Sequence, residues 1–174
     1  MNLKPQDVVV LMKLFGYGKS RPPYSVIASE LSMSQSEVNA AVKRLQAARL
    51  IHGAIMNERP ILAASEEFLL HGVKYAFPAK RGHFVKGIPT AYAAEPLSEL
   101  IDPGGDPIPV WPYEKGKIRG LSLVPLYKSV PDASMRDKVL YRRLALLDSI
   151  RGGGARERKL AERELLKSLR KANG

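Results

Sequence analysis

Apolar positions recur at helical spacing from the start of the chain. Val8, Val9, Leu11, Met12, Leu14 and Phe15 follow Pro5, a residue that the first turn of a helix tolerates, so a helix is expected from about residue 5. Gly16, Gly18 and Arg21-Pro22-Pro23 end it. A second helix turns Ile27, Ala28 and Leu31 inward, with Ser25 available to cap it, and Ser32-Met33-Ser34 reads as a turn. Ser34 and Glu37 have Ser-x-x-Glu spacing, in which each side chain satisfies the other's orphan backbone N–H. The helix they open carries a buried stripe of Val38, Val42 and Leu45 and runs to about Ala48.

Two apolar runs, residues 50–56 and 60–63, then bracket Asn57-Glu58-Arg59 and predict a β-hairpin with a polar tip. Ser65 is spaced to cap a short helix from Glu66 to about Tyr75. Beyond Phe77 the texture changes. Seven of the 13 prolines fall between Pro78 and Pro112, leaving room for no long helix, only a turn near residues 97–101. Ile108-Pro109-Val110-Trp111 and residues 119–124 read as short strands joined by a turn over 112–117, the first strand held to a sheet edge by its proline. Ser134 and Asp137 have capping spacing, and Val139, Leu140, Leu144, Leu147 and Ile150 follow with helical period. Gly152-Gly153-Gly154 stops that helix or makes a hinge, and a last helix covers 155–171. The expected fold is α+β and mainly α. Residues 1–72 form an N-terminal winged helix-turn-helix, and 73–174 hold a proline-rich β-containing middle region and C-terminal helices for dimerisation or partner binding.

Charge adds a partner to this picture. The 174 residues carry a net charge of +11, and such a basic excess favours a polyanion. Residues 1–62 have 8 basic and 4 acidic side chains, residues 63–135 have 8 of each, and residues 136–174 have 12 and 5. The excess therefore lies at the two ends. With no cysteine, disulfides and thiolate metal sites are excluded. No apolar run approaches the roughly 20 residues of a membrane span, and no signal-peptide pattern opens the chain, so a cytoplasmic protein without membrane contact is expected.

In a helix-turn-helix the second helix docks in the major groove of double-stranded DNA. A helical wheel puts Val38, Val42 and Leu45 on one side and Ser36, Asn39, Ala40 and Lys43 on the other. Asn39 is suited to adenine, Lys43 to guanine or phosphate, and Ser36 to a base edge or phosphate, with Gln35 and Ser34 in or beside the first turn. Arg44 points sideways toward the backbone. Arg59 at the hairpin tip, with Asn57 beside it, suits the minor groove or its flanking phosphates. Lys19 and Arg21 are candidate phosphate contacts that position rather than specify. A helical hairpin that packs on another protein, or an RNA-binding one, would share this pattern. His52, His71 and His83 lack metal-ligand spacing, and no nucleophile has a supporting local motif. Neither an enzyme nor a cofactor is expected.

The last helix shows a narrow basic stripe, Arg156, Lys159, Arg163, Lys167 and Arg170, against an apolar stripe of Ala161, Leu165, Leu166 and Leu169. It is either a second surface for DNA or an acidic partner protein, or the solvated side of a packed helix.

Residues 27–38, with Val42-Lys-Arg-Leu45 and the hairpin after Leu50, resemble the MarR-like superfamily of bacterial transcriptional regulators over roughly residues 5–72. The resemblance implies a dimeric DNA-binding regulator, with Gln35, Ser36, Asn39 and Lys43 in the groove-facing positions. A MarR-type protein usually closes its dimer with a long helix where this chain becomes proline-rich, so dimer geometry and a ligand pocket do not carry over. The expectation is a sequence-specific transcriptional repressor, a homodimer on duplex DNA. The alternatives are an autoregulating antitoxin or adaptor whose C-terminal half binds a partner protein, and an RNA- or replication-associated winged helix.

Overall fold

The computed structural model describes residues 2–174; Met1, the first residue of the expected N-terminal domain, lies outside them. Among the described residues, eight α-helices, α1 to α8, and five strands, β1 to β5, alternate in small groups. The fold is mixed α/β, 54% helical and 13% strand, so helices form the framework and the sheets are local. No described helix is long and apolar enough to cross a membrane.

Helix α1 (Pro5–Leu14) starts where Pro5 predicts and is buried from Asp7 to Leu14. The backbone N–H of Lys4 donates to the Asp7 carboxylate at 2.8 Å, closing the first turn. Residues 8–12 have no exposed surface on any side, so α1 is covered all round rather than along one stripe. Helix α2 (Tyr24–Leu31) packs with α3 (Gln35–Ala47), and α3 also packs on α1. Between α2 and α3, Ser32 takes a left-handed conformation, and the Ser34–Glu37 capping box forms as expected. Ser25 caps nothing: Pro23 takes the position before α2, and its fixed φ starts the helix without a side-chain acceptor.

The expected hairpin shrinks to a two-residue ladder, β1 (Ile51–His52) against β2 (Arg59–Pro60). Residues 53–57 are a loop in which Ile55 is 82% exposed. An apolar run alone was read there as strand, yet Gly53 at φ +109° turns the backbone out of the ladder. Helix α4 (Leu62–Glu67) continues through a π-helical turn, Phe68–Gly72, into α5 (Val73–Ala76). Ser65 lies inside this helix, fully buried, with its hydroxyl aimed at the Leu50 carbonyl at 3.5 Å, and is not a cap. The boundary expected after residue 72 therefore falls within continuous helix. One apolar core includes Val8, Val42 and Leu69 as well as Trp111, Leu144 and Leu165.

The middle region closes into a three-stranded barrel of β3 (Arg81–Pro89), β4 (Pro109–Pro112) and β5 (Ile118–Leu123). Strand β3 is antiparallel to both others, and β4 runs parallel to β5 through Pro109–Leu121 and Val110–Ser122. So β4 is paired on both sides, contrary to the edge position its prolines suggested. A proline lacks only the donor: the Thr90 N–H donates to the Pro109 carbonyl at 3.0 Å, and the Leu121 N–H to the Ile108 carbonyl at 2.8 Å. The barrel is tight enough that a Cβ on Gly87 would lie 1.9 Å from the Trp111 carbonyl oxygen, and one on Gly120 2.1 Å from that of Ile108. Strand β3 had no signal in the sequence. Its outer side chains are exposed and it contains two glycines, so the alternation that marks a half-buried strand is missing.

Helix α6 (Val130–Arg136), also unexpected, precedes α7 (Lys138–Gly152) and α8 (Ala155–Asn173). Asp137 caps α7 by accepting from the Leu140 N–H at 3.0 Å, whereas Ser134 is buried within α6. Leu140, Leu144, Leu147 and Ile150 are buried, and Val139 is exposed. The glycines make a break: α7 ends at Gly152 and α8 folds back on it.

A buried polar centre fastens the barrel to α7. One oxygen of Asp148 accepts from Thr90 Oγ1 and from Trp111 Nε1, both at 2.7 Å, while the other accepts from Arg151 at 2.6 Å. Tyr141 adds its ring, 5.5 Å from that of Trp111, and donates its hydroxyl to the Pro89 carbonyl. Removing one member of a buried ion pair strands the other, at a cost of about 3–5 kcal/mol. Asp148→Ala is expected to lose about that much stability and Thr90→Val about 1 kcal/mol, one neutral hydrogen bond. Urea unfolding followed by fluorescence of Trp111, the only tryptophan, measures both; equal losses would remove Asp148 from the centre of this network.

Candidate nucleic-acid interface

The capping box holds the N-terminus of α3 open to solvent. Ser34 Oγ accepts from the Glu37 N–H at 3.2 Å, and one Glu37 oxygen accepts from the Ser34 N–H at 2.7 Å. Beyond it, Gln35, Ser36, Asn39 and Lys43 are all exposed, while Val38, Ala41, Val42 and Leu45 are buried. The helical division read from the sequence is the observed one. Ser34 is exposed but engaged, since its oxygen serves the cap and lies 3.0 Å from Ser36 Oγ. Lys43 makes no ion pair among the described residues.

Two arginines expected at the interface are taken up inside the protein. Arg44 forms a two-pronged bond to Asp7 of α1, Nε to Oδ2 at 2.8 Å and a terminal nitrogen to Oδ1 at 2.6 Å. Asp7 is fully buried, so this bond joins α3 to α1 and leaves no guanidinium for a phosphate. Arg21 is buried too. It donates through Nε to Glu58 at 2.6 Å and to the Pro22 carbonyl at 2.7 Å, and it lies 4.3 Å over the Tyr24 ring. Glu58 also accepts from the Tyr24 hydroxyl at 2.6 Å. Burial alone would raise the Glu58 pKa, but these donors and the Arg21 charge bring it below the ordinary carboxylate value.

Arg59 is not at a tip. It lies half-buried at the start of β2, where it donates to the Lys19 carbonyl at 2.7 Å and to Asn57 at 3.2 Å, tying the short hairpin to the loop before α2. The ammonium of Lys19 and the side chain of Asn57 stay on the surface, and the tip presents Ile55 and Met56.

The C-terminal half supplies residues that local pattern does not bring to α3. The Tyr127 hydroxyl donates to the second oxygen of Glu37, and this bond, with the cap, holds the Glu37 carboxyl below its ordinary pKa. The same contact pushes Tyr127 up to about 12. Lys128 follows it, exposed. Arg136 of α6 donates to the Ser29 carbonyl at 2.9 Å and to Ser32 Oγ at 2.7 Å, bracing the turn between α2 and α3 from outside. These partners are some 90 to 107 positions away in sequence.

On α8, Arg156, Lys159, Arg163, Lys167 and Arg170 are all exposed, and Ala161, Leu165 and Leu169 are buried. Arg170 is paired with Glu66 at 2.7 Å and Arg163 with Glu164 at 3.4 Å. Arg156, Lys159 and Lys167 make no ion pair among the described residues.

Comparison with family models, with curated proteins and with solved structures returned no match to this chain.

The carboxyls of Glu30, Glu37, Glu58 and Asp137 all titrate below their ordinary values when folded. Each contributes stability that is present above its unfolded pKa, about 4, and is lost as pH falls through the folded value. Urea stability is expected to be level from neutrality to about pH 5 and to fall below that. Glu58→Gln should lower the neutral plateau and make the acid slope shallower. A variant slope as steep as the parent's would mean that Glu58 is not among the linked groups.

Proposed function

We propose that residues 1–72 act as a winged helix-turn-helix on double-stranded DNA, and that the protein is a sequence-specific transcriptional repressor resembling the MarR-like regulators. What carries this reading is the outer face of α3. Asn39 and Lys43 follow a capped N-terminus there, with Gln35 and Ser36 in the first turn, and a left-handed Ser32 separates α3 from α2. Side chains at the start of such a helix reach base edges in the major groove. Asn39 has the donor and acceptor that adenine requires, and Lys43 suits guanine or phosphate. Lys19, Asn57 and the exposed Lys128 are available to flanking phosphates, which position the helix without specifying sequence. Arg21, Arg44 and Arg59 hold the module together instead. A two-fold homodimer would set two α3 helices about one DNA turn apart, roughly 34 Å.

A second reading, an autoregulating antitoxin or adaptor, is favoured by one observation. The cationic face of α8 is exposed, and Arg156, Lys159 and Lys167 on it have no carboxylate partner among the described residues. An acidic partner protein would fit it, and a co-transcribed toxin-like gene would support this reading.

Fragments selected from genomic DNA define the test site. On that site Asn39→Ala should weaken binding by about 5- to 150-fold and relax the preference at one base pair. Lys43→Ala should weaken it and lower the slope of log affinity against log salt by about 0.9. Arg44→Ala should act mainly on stability. Binding that survives both of the first two changes would remove α3 from the interface.

A further inference from the structure

Residues 63–135 are charge-balanced, but folding separates their charges. Six of the eight basic residues, Lys80, Arg81, Lys86, Lys115, Lys117 and Arg119, lie on or beside β3 and β5. Segments 80–89 and 115–124 contain no carboxylate. Four of the acidic residues, Glu95, Glu99, Asp102 and Asp106, lie on the connection from β3 to β4.

The register shows how the strand residues are presented. Phe84 pairs with Leu121, and Lys86 with Arg119. Cross-strand partners share a face, and so do residues two apart, so these four side chains project together. All four are exposed, and Phe84 retains 51% of its surface. Val85, paired with Gly120, points the other way. The Arg119 guanidinium lies 5.4 Å from the Phe84 ring centre, and neither Arg119 nor Lys86 makes an ion pair among the described residues. About half of the Phe84 side chain stays exposed on this face. Flanked by uncompensated cations, it has the chemistry of a stacking platform beside a phosphate track.

We propose that the Phe84–Lys86–Arg119–Leu121 face of the barrel binds an unpaired nucleic-acid strand, one base stacking on Phe84 while adjacent phosphates contact Lys86 and Arg119. Single strands offer base faces that a duplex keeps stacked, and positively charged grooves bearing aromatic rings recognise them with little regard to sequence. This surface is separate from α3 and takes a different form of nucleic acid. It is also near: Leu121 is six residues from Tyr127, at most about 22 Å of extended chain, and Tyr127 touches the N-terminus of α3.

The probes are fluorescein-labelled oligo-dT and oligo-rU of 20 nucleotides, read by anisotropy on the full chain in about 50 mM salt, with folding checked by circular dichroism. The two oligomers tell a DNA strand from an RNA strand. Phe84→Ala should weaken single-strand binding about tenfold or more, and Phe84→Trp should retain it, while Phe84→Leu should not. Lys86→Ala and Arg119→Ala should each reduce the salt slope by about 0.7. Asn39→Ala and Lys43→Ala should leave single-strand binding unchanged, which separates failure of this proposal from failure of the duplex reading. The proposal is overturned if the parent protein binds neither oligomer, if Phe84→Ala binds as tightly as the parent, or if the α3 variants alone abolish binding.

Discussion

A ten-residue helix with no exposed apolar surface cannot sit on the outside of a protein. Burial of a Val, Leu or Met side chain contributes about 1.5–3 kcal/mol, so the five consecutive apolar residues of α1 require cover from more than one direction. Helices α3 and α7 both pack on α1. The polar residues of α1 follow the same constraint. Asp7 meets Arg44 of α3, and Lys13 meets Glu30 of α2 and Asp137 at the start of α7 at 3.0 and 2.8 Å. At the end of the helix, Arg143 of α7 donates to the Met12 carbonyl. The N-terminal helices and the C-terminal hairpin thus share one core through α1.

That arrangement explains why arginines serve two different purposes. A guanidinium is always charged and offers donors in a fixed fork, which suits it equally to a phosphate and to a buried carboxylate. Arg21, Arg44 and Arg151 take the carboxylate partner, because Glu58, Asp7 and Asp148 are themselves buried and would otherwise be unpaired. Such pairs fix geometry more than they add stability. Here Arg44–Asp7 sets the position of α3 against α1, and Arg21–Glu58, with Tyr24, that of the short hairpin against α2. Arg151–Asp148 lies within α7, and the barrel is fastened to that helix by Thr90 and Trp111 donating to Asp148. Lysines at the surface, Lys43 and Lys128 among them, keep their charges available.

The barrel shows the same economy in another form. With three strands there is almost no interior, and glycine at 87 and 120 lets the backbones approach until side chains fit only outside or against α7. Trp111 and Leu123 are buried, whereas Phe84, Lys86, Arg119 and Leu121 are exposed. A segment whose charges cancel along the chain is folded so that its cations gather on and beside β3 and β5 and four of its carboxylates on the connection from β3 to β4.

Local pattern determined the three N-terminal helices, the capping box, and which face of α3 is buried, because helical period and Ser-x-x-Glu spacing involve neighbours within two turns. It also determined α7, the glycine break and the two faces of α8, but paired Ser134 with Asp137 as a cap where Asp137 caps α7 itself and Ser134 lies inside α6. Strand β3 escaped it, since a strand that is exposed on one side and glycine-rich has no alternation to read. The hairpin was overread, since an apolar run carries no information about where its loop will be exposed. The fate of each charged residue was decided only by the tertiary structure. Arg44 finds Asp7 across 37 residues, Arg21 finds Glu58 across 37, and Glu37 finds Tyr127 across 90. Whether a cation faces a carboxylate or solvent depends on what the chain brings back to it, and no local pattern encodes that return.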